Sequence, residues 1–329
     1  MNRLGLIRFT PHYRTVRWGG SRIAQFKNIH LDDDHIGESW EISSLEGMET
    51  IIAEGPLSGM SLSTLLHEYG KDVLGEELYA RFGEKFPLLI KFIDAEDDLS
   101  IQVHPDDTLS DGCGKTELWY IIDAQPGAHI YSGLNRTLTH CEMTRILADR
   151  TITNVLAKHY AQAGDVFYLP AGRVHSIGAG NFVLEIQQPS DITYRLWDYD
   201  RRDADGNLRP LHIERALQAV DYTQTDFGLA RPQLLDDRET IIKRTPFFTV
   251  TALCVEDKVR LEVNARRSFR VLMVVEGSGT VNDSDGNSAV ISRGHTVLVP
   301  ASTDWVEIRA TDRPMRVITA FIEPDKEKR

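Results

Sequence analysis

The sequence predicts a mostly β protein of two β-barrels, the first carrying a helical insertion. Short β-rich runs recur along the 329 residues, separated by Gly, Pro, Asn and Asp. GDVFYLPAGRVH, Gly164 to His175, lines up without gaps on GHTVLVPASTDW, Gly294 to Trp305. Each copy follows a hydrophobic strand ending in a turn, LWYIIDAQPGAH in the first and VLMVVEGSGTV in the second. Two barrels of one ancestry follow from that repeat. Only one segment, Ser61 to Phe86, has helical periodicity at length.

In chain order, that segment carries Leu62, Leu65, Leu66, Tyr69, Val73, Leu74, Leu78 and Phe82 at three-to-four spacing. Gly70 and Gly75 are expected to divide it into two helices, with Ser61 or Ser63 as N-cap. FPLLIKFIDA and ELWYIIDA then read as strands, and residues 140–157 as a helical pair of turns. DVFYLP and FVLEIQQ are further strands, and a short helix is expected around His212 to Val220. FFTVTALCV, FRVLMVVEG, TVLVP and MRVITAFI supply the second barrel. The expected division is a catalytic domain over 1–246, with its helical insertion near 59–86, and a C-terminal barrel over 247–329. The copies differ chemically, because Trp305 stands where the first has His175. The second barrel also lacks a His-x-His or a nearby Glu, so it is expected to be structural, to bind no metal, and to have its pocket filled by side chains.

Charge and composition exclude several classes of function. Lys and Arg number 37 against 49 Asp and Glu, a net −12, and no local basic patch overrides it. Neither a nucleic-acid nor an anionic-membrane role fits that balance. No run approaches the ~18 apolar residues of a membrane span. The opening MNRLGLIRFTPHYRTVRWGG has no apolar stretch of the secretory kind, and three cysteines suit a reducing compartment, so a cytoplasmic location is expected. No glycine-rich phosphate loop opens a helix.

One constellation carries chemistry. In SIQVHPDD, Gln102 and His104 lie two apart and share a strand face. Glu117 follows in GKTELWYII, and His175 arrives on the repeated hairpin. Two imidazoles, a carboxylate and an amide oxygen converging in a barrel suit a divalent transition metal with a position left open. His12, His30, His35, His67, His129, His140, His159, His212 and His295 have no comparable pattern and are taken as ordinary core or surface residues.

The hairpin matches the second cupin motif, Gly-x5-Pro-x-Gly-x2-His, at Gly164, Pro170, Gly172 and His175. Gln102 stands where cupins usually carry the first histidine of His-x-His, and the motif's closing Asn is absent after His175. With FPLLIKFIDAEDDLSIQVHPDD, GKTELWYII, PAGRVHSIGAG and EIQQPSDITYRLWDYDR, the chain closely resembles the zinc-dependent type I mannose-6-phosphate isomerases in their short bacterial form. RWGG at Arg17 to Gly20 and GESWEIS at Gly37 to Ser43 extend the likeness over essentially the whole chain. The resemblance implies two cupin barrels of the jelly-roll type. It also implies isomerisation of mannose 6-phosphate to fructose 6-phosphate through a zinc-stabilised enediolate. By the same likeness Gln102, His104, Glu117 and His175 hold one zinc ion per chain, and Arg195 is the catalytic arginine. The partner is a hexose 6-phosphate; oligomeric state is left open.

Around these, Lys115 would share a strand face with Glu117 and direct its ammonium into the zinc cavity, and Ser100 would share one with Gln102 and offer its hydroxyl to the substrate's phosphate. Asp191, Glu185 and an unprotonated Lys115 are the candidate proton carriers, with Asp191 also a substrate contact. The bland alternatives are a solvent lysine, a turn serine, and a surface ion pair of Arg195 with Asp191 or Asp198. Asp32 to Asp34, Glu96 to Asp98 and the run Asp198 to Gly206 read as solvated loop charges, the last alternatively as a lid network. Trp18 and Trp40 are taken as packing, and Cys113 as a bystander. Two rivals are an iron- and dioxygen-using metal cupin and a sugar-phosphate binder without turnover. The amide ligand argues against the first, and the full ligand set with Lys115 and Arg195 against the second.

Overall fold

The computed structural model describes residues 4–33, 35–202 and 205–324. Its first barrel is two antiparallel sheets face to face. One has seven strands in the spatial order Leu229–Ala230, Val166–Leu169, Glu117–Ala124, Asn181–Gln187, Leu89–Ala95, His12–Gly20, Ile36–Ile42. The other has five, Tyr194–Trp197, Ile101–Val103, His175–Ile177, His129–Leu134, Leu156–Tyr160.

The central strands of the larger sheet are buried on both faces, which is why they read as almost unbroken apolar runs. Period two sorts their side chains. Ile90, Phe92, Leu118, Tyr120, Leu184 and Ile186 face outward into one core. Ile93, Ala95, Trp119, Ile121 and Val183 face inward into another. The same alternation turns Lys91, Glu117 and Glu185 into the barrel.

The outward core joins three bodies. Leu62, Leu65, Leu66, Val73, Leu74 and Leu78 of the insertion pack with that face and with Phe248, Val250, Phe269 and Val271 of the C-terminal sheet. The insertion is a helix over Leu62–Leu74 and a second over Glu76–Phe82. Ser61 is the N-cap, its hydroxyl accepting from the Thr64 amide at 3.1 Å. The division falls at Gly75, whose φ of 90° belongs to the left-handed region. The first helix is itself broken by non-helical backbone at Tyr69, φ −129° and ψ 20°, beside Gly70, where a Cβ would stand 2.1 Å from the Tyr79 ring. The expected turns after residue 140 are the helix His140–Ala148, closed at its start by a Thr139/Glu142 capping box, and a 3-10 turn at Ile152–Val155. The short helix is Ile213–Ala219.

The C-terminal sheet turns on two long strands, Arg270–Asp283 and Trp305–Phe321, whose pairing shifts register three times between Val274 and Gly279. These bulges bend the pair so that it serves both walls of the second barrel. Both repeats open on a left-handed glycine, Gly164 at φ 89° and Gly294 at φ 87°. Both continue into a four-residue strand, Val166–Leu169 and Thr296–Val299.

The second barrel keeps Trp305 out of its pocket. Its interior is filled by Leu253, Val255, Leu272, Val274, Val306 and Ile308, all fully buried. Trp305 is only half-buried and lies under the Arg260 guanidinium at 4.0 Å. The strand opens at Trp305 just as its counterpart opens at His175, yet Val306 and Ile308 take the inward places and the indole stands on the other face.

Candidate active site

Three neighbouring strands of the five-stranded sheet bring the first site residues abreast. Gln102 pairs in register with His175 on one side and with Arg195 on the other. On Ile101–Val103, Ile101 and Val103 are fully buried on the core side, leaving Gln102 and His104 to the opposite face. Glu117 comes from the facing sheet, so the cluster bridges the barrel.

The ligand atoms of His104, Glu117 and His175 lie within 4.8 Å of one another, and all three residues are buried. His104 Nε2 is 3.1 Å and His175 Nε2 3.8 Å from the Glu117 carboxylate. The Gln102 amide lies 3.5 Å from His175 Nε2. Each imidazole is fixed through its other nitrogen, His104 Nδ1 to the Ile192 carbonyl and His175 Nδ1 to the Arg173 carbonyl, both at 2.8 Å. A carbonyl can only accept, so Nδ1 carries the proton in both rings and Nε2 offers a lone pair. His104 Nε2 and Glu117 Oε2 are buried without a hydrogen-bond partner. Burial pushes the His175 imidazole down to about 3, with the neighbouring His104 adding to the shift. His104 is lowered by burial and by Lys115. Burial would raise the Glu117 carboxyl, but Lys115 and the two imidazoles more than offset it and hold it well below the usual range. Neutral imidazoles, an ionised carboxylate and orphaned lone pairs are what a divalent ion requires.

A cavity of about 290 Å³ opens above this cluster, with Gln102 and Lys115 in its lining. Lys115 precedes the strand that begins at Glu117, yet it is buried and its Nζ lies 2.9 Å from Glu117 Oε1. Burial would lower the Lys115 ammonium; Glu117 and Glu185 reverse that and keep it protonated. Ser100 lines the same wall, its hydroxyl 3.5 Å from the Gln102 amide oxygen. Asp191 sits at the mouth, half exposed and 3.5 Å from Arg14. Arg195 lines the cavity and pairs with neither acid expected for it: its Nη1 donates to the Pro210 carbonyl at 2.8 Å, and its Nε is buried without an acceptor.

Sequence reasoning missed part of the lining: Arg14, Glu38, Lys91 and Arg209. Lys91 did leave a signal, a lysine inside LLIKFIDA. It is buried, 3.3 Å from Glu185 and 4.6 Å from the centre of the Trp40 ring. Glu185 accepts from Trp119 Nε1 at 2.8 Å. Its carboxyl is raised above the usual range by burial, then by Glu117. Trp40 packs as expected, whereas Trp18 walls the cavity. Asp198 is a second correction, being buried rather than solvated. It accepts from Arg201 at 2.5 Å, and Arg201 reaches on to the Asp98 carbonyl. Asp34, Asp203 and Ala204 lie outside the described residues. Asn181 stands just past the glycine turn, donating to the Gly178 carbonyl at 2.7 Å and the His129 carbonyl at 2.9 Å. It ties down the turn that lacks the motif's closing Asn.

Two other features lack this chemistry. A larger cavity of about 460 Å³ lies between the domains, where Arg22 pairs with Asp94 and Arg316 with Glu276. Asp236, Cys254 and Glu256 form a second group of possible ligands, but burial and Asp236 raise the Cys254 thiol, keeping it protonated.

Residues 6–133 match the family described as phosphomannose isomerase type I, catalytic domain, and residues 237–319 the mannose-6-phosphate isomerase cupin domain. The mannose-6-phosphate isomerase ManA of Bacillus subtilis is 34% identical over 82% of this chain and 85% of its own. That of Streptococcus mutans is 32% identical over 88% and 90%. The crystal structure of the mannose 6-phosphate isomerase from Bacillus subtilis superposes with a TM-score of 0.81 at 29% identity, covering 96% of this chain and 99% of that one. Among the described residues, no helix is long and apolar enough to cross a membrane.

Proposed function

The chain belongs to the type I phosphomannose isomerase family, and from that premise we propose that it interconverts mannose 6-phosphate and fructose 6-phosphate in the Arg195–Lys115 cavity. Zinc is held by His104, Glu117, His175 and the Gln102 amide. The observation that carries this assignment is the buried set of orphaned lone pairs, His104 Nε2 and Glu117 Oε2, beside a cavity rich in cations. The catalytic domain ends before Glu239 rather than at residue 246, because strand Glu239–Arg244 pairs with Thr249–Val255 of the C-terminal sheet, and the interior of that second barrel is apolar among the described residues. Three free cysteines accord with a cytoplasmic location.

The reaction removes the hydrogen on C2 of the open-chain aldose as a proton, delivers a proton to C1, and passes the hydroxyl proton from the C2 oxygen to the C1 oxygen, which leaves the carbonyl at C2. When bound, zinc would supply Lewis acidity to the negative charge that develops on the substrate. Glu185 carries the proton between the two carbons. One of its oxygens is held by Trp119, and its raised pKa suits a group that must accept and return a proton. Asp191 is too open for that role, and Lys115 stays protonated; the ammonium instead stabilises negative charge beside Glu117. Arg195 turns its unpaired donors on the substrate's negative charge, which its permanently charged, planar guanidinium suits. Ser100 and Asp191 contact sugar hydroxyls at the wall and the mouth.

Coupled turnover of mannose 6-phosphate in deuterium oxide tests this directly. The wild type should form fructose 6-phosphate with solvent hydrogen entering the product, and Glu185→Gln should abolish that entry at unchanged metal content. A wild type that binds the sugar phosphate without isomerising it would reduce the protein to a binder.

A further inference from the structure

We propose that Arg209 sets specificity for a phosphorylated sugar by gripping the substrate's phosphate together with Arg195. The inference rests on the isomerase assignment and adds the residue that tells a hexose 6-phosphate from the free hexose.

Five cations line the cavity, and three are neutralised in place. Lys115 has Glu117 at 2.9 Å, Lys91 has Glu185 at 3.3 Å, and Arg14 has Glu38 and Asp191, both at 3.5 Å. Arg195 has no carboxylate within ion-pairing distance among the described residues. Among those same residues Arg209 has one, Asp198 at 3.6 Å, and that carboxylate is already taken by Arg201 at 2.5 Å. Two guanidinium groups of like charge therefore share one wall without matching anions. Repulsion between them raises the free energy of the empty site, and a dianion placed between them reverses its sign. A phosphate monoester carries close to two charges at neutral pH, and its oxygens match the guanidinium fork. A free hexose gains none of this.

The backbone holds the pair in place. His212 donates its amide to the Arg195 carbonyl at 2.8 Å, and Arg195 Nη1 donates to the Pro210 carbonyl at 2.8 Å. Arg209 is thus anchored through its neighbours, with its side chain 34% exposed at the mouth, while His104, Glu117 and His175 lie fully buried at the other end. A substrate with C1 and C2 over the buried ligands presents its sixth carbon to that mouth.

Arg209→Ala and Arg209→Gln, each checked for zinc content and melting temperature, test the proposal by steady-state kinetics on mannose 6-phosphate. KM should rise about 10- to 100-fold with kcat nearly unchanged, as for the loss of a charge-assisted hydrogen bond. The competitive inhibition constant of inorganic phosphate should rise in parallel, and Arg209→Lys should restore part of both through its point charge. Unchanged KM and phosphate inhibition in both variants would overturn the proposal while leaving the isomerase assignment intact. A fall in kcat and melting temperature without a change in phosphate inhibition would assign Arg209 a structural role and overturn it equally. Absence of turnover in the wild type would instead remove the isomerase assignment.

Discussion

His104 Nε2 lies 3.1 Å from Glu117 Oε1, while the proton of the same ring is committed to the Ile192 carbonyl through Nδ1. A lone pair and a carboxylate oxygen at that separation, buried together, suit a metal cation between them; the Lys115 ammonium, 2.9 Å from Oε1, neutralises the carboxylate but leaves the imidazole lone pair without a partner.

His104→Ala and His175→Ala should therefore each lose bound metal and turnover together. The β-rich circular dichroism should survive, because the cores on either face of the sheets are apolar and independent of the cluster. Full metal content and full activity in either variant would remove that residue from the ligand set.

Substitution at Arg195 separates a contact to the substrate's negative charge from a surface ion pair. Arg195→Ala should lose turnover by orders of magnitude at unchanged zinc content, with only part of the loss in KM. Arg195→Lys should not rescue it, because an ammonium lacks the planar two-donor geometry. A surface pair is worth only ~0–1 kcal/mol of stability, so near-normal rates in both variants would dismiss the catalytic role.

Trp305→Ala should cost about 1 kcal/mol, well short of the 3–5 kcal/mol typical of a fully buried aromatic, since the indole is half-buried under Arg260. Val306→Ala, inside the same barrel, should cost more. Chemical denaturation of the two variants side by side gives the comparison, and a larger loss for Trp305 would contradict the flipped face.

Stability in acid should depend on Glu239. It pairs at 2.6 Å with Arg270, which is 1% exposed, and at 2.9 Å with Arg266. Burial alone would raise its carboxyl, but the two guanidiniums hold it below the usual range. A depressed folded pKa contributes stability above the unfolded value near ~4.3 and loses it as pH falls toward the folded value. Glu239→Gln should thus destabilise by about 3 kcal/mol at neutral pH, as when one partner of a buried pair is removed. The difference from wild type should shrink below pH ~4. A pH-independent difference in melting would dismiss the ion pair as its source.

The β-rich architecture was legible because its signals are local. Leu62 to Phe82 announce helices by spacing, and the strands by short apolar runs. The cluster was legible because Gln102 and His104 share a face within one strand, and His175 sits in a long motif. What could not be read depends on pairing between distant strands. Lys91, Glu38 and Arg14 reach the cavity through the register of three strands far apart in sequence. Arg209 does so through a loop clipped to the Arg195 strand. Which face Trp305 takes could not be read from its alignment with His175, because the inward parity of a strand is set by its distant partners.

Metal content measured beside mannose 6-phosphate turnover, before chelation, after it, and after return of zinc, tests the buried centre most directly. One equivalent of metal per chain should leave with the chelator, turnover should fall with it, and both should return with zinc in the wild type but not in His104→Ala. Undiminished turnover by metal-free protein would contradict the assignment.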